Sequence, residues 1–367
     1  MNKNNHSGYI PQLDALRAIA VVLVIISHWL AASHFLNRYL PNGILGVTLF
    51  FVLSGYLITG ILLKSKEMLG KGLRLKDAFI IFYVRRSLRI FPVYYLFILL
   101  LVLRHPIDIL PSIVWHLFYA SNFYFWLHNG FAAQLSHLWS LAVEEQFYLI
   151  WPAVILMTGR MKLPTVFLIG ILIALVFRAL MYNPPSHLGR LLMPGSLDAF
   201  SVGALLAYGQ FYKTNWYNKL LSVKTVGFIS MSLLMVLLHV GLHYYKNDLL
   251  ILIFYYLIIS LFFFMLLLVV SVNTTKNRLS ALLLENPVLL YLGKISYGLY
   301  LFHLIIPTLN DLQLPGWLLP YSVNIKLGLR FILLVGMASL SWYFFEKPIL
   351  RLKNYFDIRL KVGRESE

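Results

Sequence analysis

Residues 249–272 read LLILIFYYLIISLFFFMLLLVVSV, twenty-four consecutive positions without a charge. A stretch of that length crosses about 30 Å of hydrocarbon, for which about 20 helical residues suffice. Working outward from it, comparable stretches fall at roughly 13–33, 45–64, 79–103, 137–157, 163–182, 194–212, 222–243, 290–310 and 324–346. Composition agrees, since 60% of the 367 residues are hydrophobic, 12% are charged, and the mean hydropathy is +0.76. No soluble domain of this length needs so much apolar surface. The expected fold is therefore all-α: a polytopic transmembrane helix bundle of about ten spans, forming one domain over 1–367 with a basic cytoplasmic tail at 347–367. No linker-like or low-complexity tract divides it, and no internal repeat is evident.

Ten spans put both termini on one side, and the loops say which. Of 31 Lys and Arg, 23 fall on one side, in alternate loops, tails and adjoining span ends, and only Arg38, Arg104, Arg190 and Lys246 on the other, with Arg17, Arg178, Lys326 and Arg330 inside spans. Cytoplasmic loops carry the positive excess, so the expected arrangement is N-in and C-in, multi-pass in a bacterial inner membrane. The net charge of +17 thus belongs to helix ends beside membrane lipids, and nucleic acid is not an expected partner. The first span is too long for a secretory h-region, and its start carries Asp14 and Arg17. Residues 111–128, with Trp115, Tyr119, Tyr124 and Trp126, read as an interfacial aromatic stretch on the outer side. The chain has no cysteine, which excludes disulfides, thiolate metal sites and a cysteine nucleophile. No bound metal and no permanently held cofactor are expected.

Ionisable residues inside spans are costly, so each is a functional candidate, with helix-to-helix hydrogen bonding as the alternative. At 1.5 Å per residue, His28 lies ~8 Å below the outer end of its span, Glu144 and Glu145 ~10–12 Å, and His303 ~10 Å. Arg178 and Asp198 fall in the same outer third. A shared depth predicts a water-accessible polar layer. At the cytoplasmic end the chemistry is cationic instead, with Arg17 in the first span and Arg85, Arg86 and Arg89 opening the third. Arginine clusters suit phosphates, and Arg86 and Arg89 share a helix face. Arg17 and His28 are eleven residues apart, so they project from one face with ~16 Å between them along the axis. A cytosolic donor with a phosphorylated head and a long thin arm, such as acetyl-coenzyme A, fits that stripe. The geometry permits transmembrane acyl transfer without requiring it.

At these residues the chain resembles the acyltransferase 3 family of integral membrane O-acyltransferases, from Pro11 to about Lys353. The segment LDALRAIAV at 13–21, continued to His28, is similar to the family's Arg-x10-His pattern. GVTLFFVLSGY at 46–56, RSLRIFP at 86–92, HLWSLAVEEQFY at 137–148, ISYGLYLFH at 295–303 and EKP at 346–348 match in order. The resemblance implies transfer of an acyl group, usually acetyl, from cytosolic acyl-CoA. The implied acceptor is a hydroxyl of a cell-surface polysaccharide, O-antigen or lipid-linked sugar precursor. It also implies an essential role for His28 and donor association for Arg86 and Arg89. Thr48 stands where the family often has an acidic residue. With no hydrolase-like domain after the tenth span, the enzyme is expected to finish the transfer alone or to hand the acyl group to a partner.

His28 is the candidate general base, with a covalent acyl-imidazole as the open alternative. Glu145 or Glu144 is placed to orient or charge-stabilise it. Arg17, Arg86, Arg89 and Ser54 are the candidate donor contacts, although Ser54-Gly55 also reads as a small-residue helix crossing. His137, Trp139, Gln146 and His303 are the candidate acceptor contacts. Other acceptors, namely a macrolide, a glycolipid or peptidoglycan, keep the same fold. The rival from another class is a secondary transporter of amphipathic or lipid-linked substrates, whose buried ionisable groups would carry protons.

Overall fold

The computed structural model describes residues 10–104, 106–131, 134–182, 191–244, 249–272, 284–306 and 322–353. Among them every regular element is helical. In chain order we label α1 (Pro11–Trp29), α2 (Asn42–Leu69), α3 (Leu75–Arg104), α4 (Ile113–Leu117), α5 (Ser121–Leu127), α6 (Leu138–Met157) and α7 (Leu163–Leu180). Then follow α8 (Leu197–Tyr212), α9 (Asn215–Tyr244), α10 (Leu249–Val272), α11 (Pro287–Lys294), α12 (Ser296–Phe302), α13 (Ser322–Ser341) and α14 (Lys347–Arg351).

Eight segments among the described residues are long and apolar enough to cross a membrane, and they coincide with eight of the ten expected spans. The remaining two differ in form. Span 194–212 is the 16-residue α8, shorter than a full crossing at 1.5 Å per residue. Span 290–310 is broken: α11 ends at Lys294, Ile295 donates back to Tyr291 O at 3.2 Å, and α12 restarts at Ser296 for seven residues. Lys294 and Ser296 flank the break, and the apolar residues on either side outweigh them in a hydropathy sum; residues 307–310 of that span lie outside the described set.

The chain divides into two compact units. The first comprises Met1–Leu57, Val166–Pro185 and Leu197–Ser296. Here α1 opens on Pro11, whose missing N–H costs nothing in a first turn, and on Asp14, favoured by the positive end of the helix dipole. Small residues let its neighbours close in. A Cβ on Gly55 of α2 would lie 2.1 Å from Phe200 O, and one on Gly203 of α8 would lie 2.1 Å from Val52 O. These two helices therefore cross backbone to backbone, with Phe51 and Phe200 stacked at 4.7 Å beside the crossing. A Cβ on Gly293 of α11 would meet Asp14 O at 1.9 Å, which presses α11 onto the start of α1. Deeper in this unit Arg178 and Asp198 form a buried ion pair at 2.8 Å, and the guanidinium lies over the Tyr256 ring at 5.6 Å.

The second unit comprises Ile58–Thr165, Ser186–Ser196 and Tyr297–Glu367. Lys66, near the end of α2, donates to Ile155 O at 2.9 Å, Leu156 O at 2.9 Å and Thr158 O at 2.6 Å. A cation thus satisfies the open carbonyls at the negative end of α6. Proline interrupts both long helices, Pro92 in α3 and Pro152 in α6. Hydroxyls bond carbonyls near each: Tyr297 donates to Ile90 O at 3.1 Å and Tyr83 to Leu149 O at 2.7 Å. After α13 the chain makes a π-turn, Trp342–Glu346, which packs on α3 and buries Glu346. Such turns recur at functional sites.

Candidate functional site

In the first unit the candidates lie on α1, and one uninterrupted helix carries both Arg17 and His28. Asp14 accepts a hydrogen bond from Arg17 at 2.5 Å, one turn away on the same face. The pair is partly buried, its side chains 24% and 12% exposed, where Gly293 seats α11. Sequence reading singled out Arg17 and missed Asp14 as its counterion, although the three-residue spacing carries the signal. Eleven residues on, His28 sits in the last turn with its side chain exposed. Its Nδ1 lies 3.0 Å from Val24 O. A carbonyl only accepts, so Nδ1 carries the proton and Nε2 is the basic nitrogen of the neutral ring. Asn37 holds that turn, donating to Leu30 O at 2.9 Å and Ile26 O at 3.2 Å. Ser54 is half-buried on α2, directly before the close crossing at Gly55, and Thr48 is buried on the same helix.

In the second unit α6 carries the two carboxylates. Glu144 accepts from the Tyr148 hydroxyl at 2.5 Å, and Arg86 lies over the Tyr148 ring at 5.0 Å. Glu145 is within electrostatic range of Glu144 and of Arg86. Around it stand the phenols of Tyr94, Tyr95, Tyr119 and Tyr297. Arg89, one turn beyond Arg86, is within electrostatic range of the buried Glu346. Glu346 also accepts from Ser341 at 3.1 Å. The structure thus brings Arg86 of α3 to Glu145 and Tyr148 of α6, and Arg89 to Glu346 of the π-turn.

The four acceptor candidates behave differently. His137 and His303 are buried, their rings edge to face at 4.9 Å. His137 Nε2 lies 3.1 Å from Leu301 O, and His303 Nδ1 lies 2.6 Å from Tyr300 O. The carbonyl of His137 accepts from Ser140 at 3.0 Å and Tyr300 at 3.1 Å, while these two hydroxyls bond each other. This polar knot pins α12 to the start of α6. Gln146 donates to Tyr119 O and Asn122 Oδ1, both at 2.9 Å, and accepts from Asn122 Nδ2 at 3.1 Å. Both faces of its amide therefore serve to hold the α4–α5 connection. Trp139 is half-buried beside His137 on α6.

His239 and His243 in α9 have the His-x3-His spacing of a helical metal pair. His239 Nδ1 instead lies 2.9 Å from the Tyr255 hydroxyl, and no cluster of three His, Cys, Asp or Glu able to hold a metal occurs among the described residues.

A chain whose regular elements are all helical among the described residues, eight of them long and apolar enough to cross a membrane, is a polytopic membrane protein. The acyltransferase domain of the acyltransferase 3 family matches residues 10–346, and the chain belongs to that family. It is 30% identical over 376 residues to the peptidoglycan O-acetyltransferase OatA of Listeria monocytogenes, covering 95% of this chain and 57% of the relative. It is 32% identical over 375 residues to the Bacillus subtilis protein named "Putative peptidoglycan O-acetyltransferase YrhL", covering 95% of this chain and 56% of the relative. The chain therefore spans little more than half the length of these relatives. No solved structure matches it.

Proposed function

We propose that the protein is a membrane O-acyltransferase that moves an acetyl group from acyl-CoA on the cytoplasmic side to a hydroxyl of a cell-envelope glycan. The observation that carries this reading is the geometry of α1, where one helix bears a guanidinium at one end and an exposed imidazole with a defined basic nitrogen at the other. In the reaction His28 Nε2 takes the proton of the acceptor hydroxyl as its oxygen attacks the thioester carbonyl. The carbon–sulfur bond breaks, coenzyme A leaves as its thiolate, and the proton passes to bulk solvent or to that thiolate. The candidate contacts for the donor's phosphates are Arg86 and Arg89 of the second unit, and separately Arg17 of the first, charge-assisted contacts for which guanidinium is suited. No permanent cofactor enters.

Two relatives carry peptidoglycan in their names, which favours a wall glycan over a lipopolysaccharide or O-antigen acceptor. A proton-coupled transporter would use the same buried groups without breaking a thioester, so release of free coenzyme A thiol is the discriminating measurement. Purified protein given acetyl-CoA and a soluble glycan fragment is expected to release thiol in proportion to acceptor acetylated. Transport of the glycan with no thiol release would overturn the enzyme reading. Orientation is tested separately by reporters after residues 70 and 220, expected cytoplasmic, and after 110 and 245, expected external.

A further inference from the structure

Asn37 and Asn42 lie between the stretches 13–28 and 46–56 that carry the family resemblance, yet together they close the end of α1 that bears His28. The last carbonyls of a helix have no partner within it, and the common remedy is a glycine in the left-handed conformation that folds the chain back onto them. Here Leu30 follows the helix in extended backbone, with φ of −96° and ψ of 145°, and its N–H donates to Ile26 O at 3.1 Å. A side chain from the short helix Phe35–Tyr39 completes the closure. Asn37 Nδ2 lies 2.9 Å from Leu30 O, 3.2 Å from Ile26 O and 3.4 Å from Ala31 O. The two protons of one half-buried amide thus serve three carbonyls.

The orientation of that amide is set in turn. Asn37 Oδ1 accepts from Asn42 Nδ2 at 3.0 Å, and the same nitrogen of Asn42 donates to Leu36 O at 2.7 Å. Asn42 is buried and begins α2. Both amides therefore have one consistent orientation, each nitrogen turned to oxygens that accept, and a flip of either would set oxygen against oxygen. The start of α2 also presses on this turn from the side. A Cβ on Gly43 would lie 3.0 Å from Ser27 Oγ, and one on Gly46 would lie 2.7 Å from Val24 Cγ2. Val24 is the residue whose carbonyl holds His28 Nδ1 at 3.0 Å. Helix ends fray, but this one is fastened at its tip by Asn37 and along its side by α2.

We propose that Asn37 is a positioning residue for acyl transfer, acting through His28 by holding the last turn of α1, and that Asn42 fixes the Asn37 amide for that task. The inference rests on the reading of His28 as general base. A base works within hydrogen-bond reach of the proton it takes, and a misplacement of about 1 Å costs about 10²-fold in rate. Water satisfies exposed carbonyls at a helix end as readily as an amide does, but it does not hold the turn in one place.

The test measures kcat, KM for acetyl-CoA and the thermal midpoint of detergent-solubilised protein with a soluble glycan fragment as acceptor, the kinetics being run well below the midpoint of each variant. Asn37→Ala is expected to lower kcat about 10- to 100-fold and to leave KM for acetyl-CoA within about 2-fold, since the arginines suited to the donor's phosphates lie elsewhere. Asn37→Asp, of the same shape but without the donors, should lose at least as much, and Asn37→Gln, with the amide on a longer arm, should restore part of it. Asn42→Ala should also lower kcat, and combining it with Asn37→Ala should cost no more than Asn37→Ala alone, because both act through one contact. A wild-type kcat in Asn37→Ala, whatever its midpoint, would make the clasp structural only. If Asn37→Ala failed to fold, Asn37→Gln decides by the same split: a lowered kcat at an unchanged midpoint supports the assignment, and an unchanged kcat overturns it. Losses that multiply in the double variant would overturn the coupling of Asn42 to Asn37. Wild-type transfer by His28→Ala would bring down the reading of His28 as base and this assignment with it, whereas an inactive His28→Ala beside a fully active Asn37→Ala would overturn this assignment alone.

Discussion

The histidines on α1 and those joining α6 to α12 are all candidates by sequence, His28 as general base and His137 and His303 as acceptor contacts, and the structure treats them differently. His28 is exposed and spends one ring nitrogen on a carbonyl of its own helix. That local bond fixes the tautomer. His137 and His303 are buried; the bond of His137 to Leu301 O and that of the Tyr300 hydroxyl to His137 O tie two elements together, whereas His303 bonds the carbonyl of Tyr300 three residues before it. The difference teaches that burial, to which hydropathy and spacing are blind, sets these histidines apart.

The largest effect expected from this contrast is at His28. His28→Ala should reduce acyl transfer by about 10²- to 10⁴-fold, the usual contribution of a positioned base, while leaving insertion and coenzyme A binding intact. Full activity in a correctly inserted variant would end its role as base. Arg89→Ala should weaken acetyl-CoA binding about 10- to 150-fold, equivalent to a charge-assisted contact of ~1.5–3 kcal/mol, with the acceptor KM little changed. Lys at the same position should restore only part of that, because a point charge keeps attraction and loses the fork. Wild-type affinity in both Arg86→Ala and Arg89→Ala would reduce these arginines to topology anchors.

His137→Ala should act on stability first. Removing it breaks the contact with Leu301 O and leaves a cavity, for a loss of about 1–3 kcal/mol read as a lower thermal midpoint. A tenfold rise in acceptor KM with an unchanged midpoint would instead make His137 an acceptor contact, and the comparison above would have to be redrawn.

The smallest effect appears only in acid. His116, in the α4–α5 region, sits between Ser121 Oγ at 2.8 Å and Ser112 Oγ at 3.1 Å, and burial lowers its pKa to about 4. Because the folded value lies below the unfolded one of 6.5, the folded state binds fewer protons between the two. Stability from this site is therefore complete above about pH 6.5 and declines as pH falls toward 4. His116→Asn should flatten that part of the midpoint-versus-pH curve. An unchanged slope would show that the ring is not titrating there.

The sequence by itself determined the all-helical membrane class, eight of its crossing segments, the family, and which residue types on α1, α3 and α6 carry charge. These are properties of composition, period and order along one helix, where neighbours are set by a fixed rise and turn. Asp14 as the counterion of Arg17 was legible on the same grounds and was overlooked. Tertiary structure alone decided the break at Ile295, which the apolar residues around it mask in a hydropathy sum, and the close crossings at Gly55, Gly203 and Gly293, which depend on what the other backbone presents. It also decided that Glu346 faces Arg89 across 257 positions of chain, and that Asn37 closes the end of α1 from outside that helix. A side chain's partner from a distant helix is fixed by packing in three dimensions, and no periodicity within one segment encodes it.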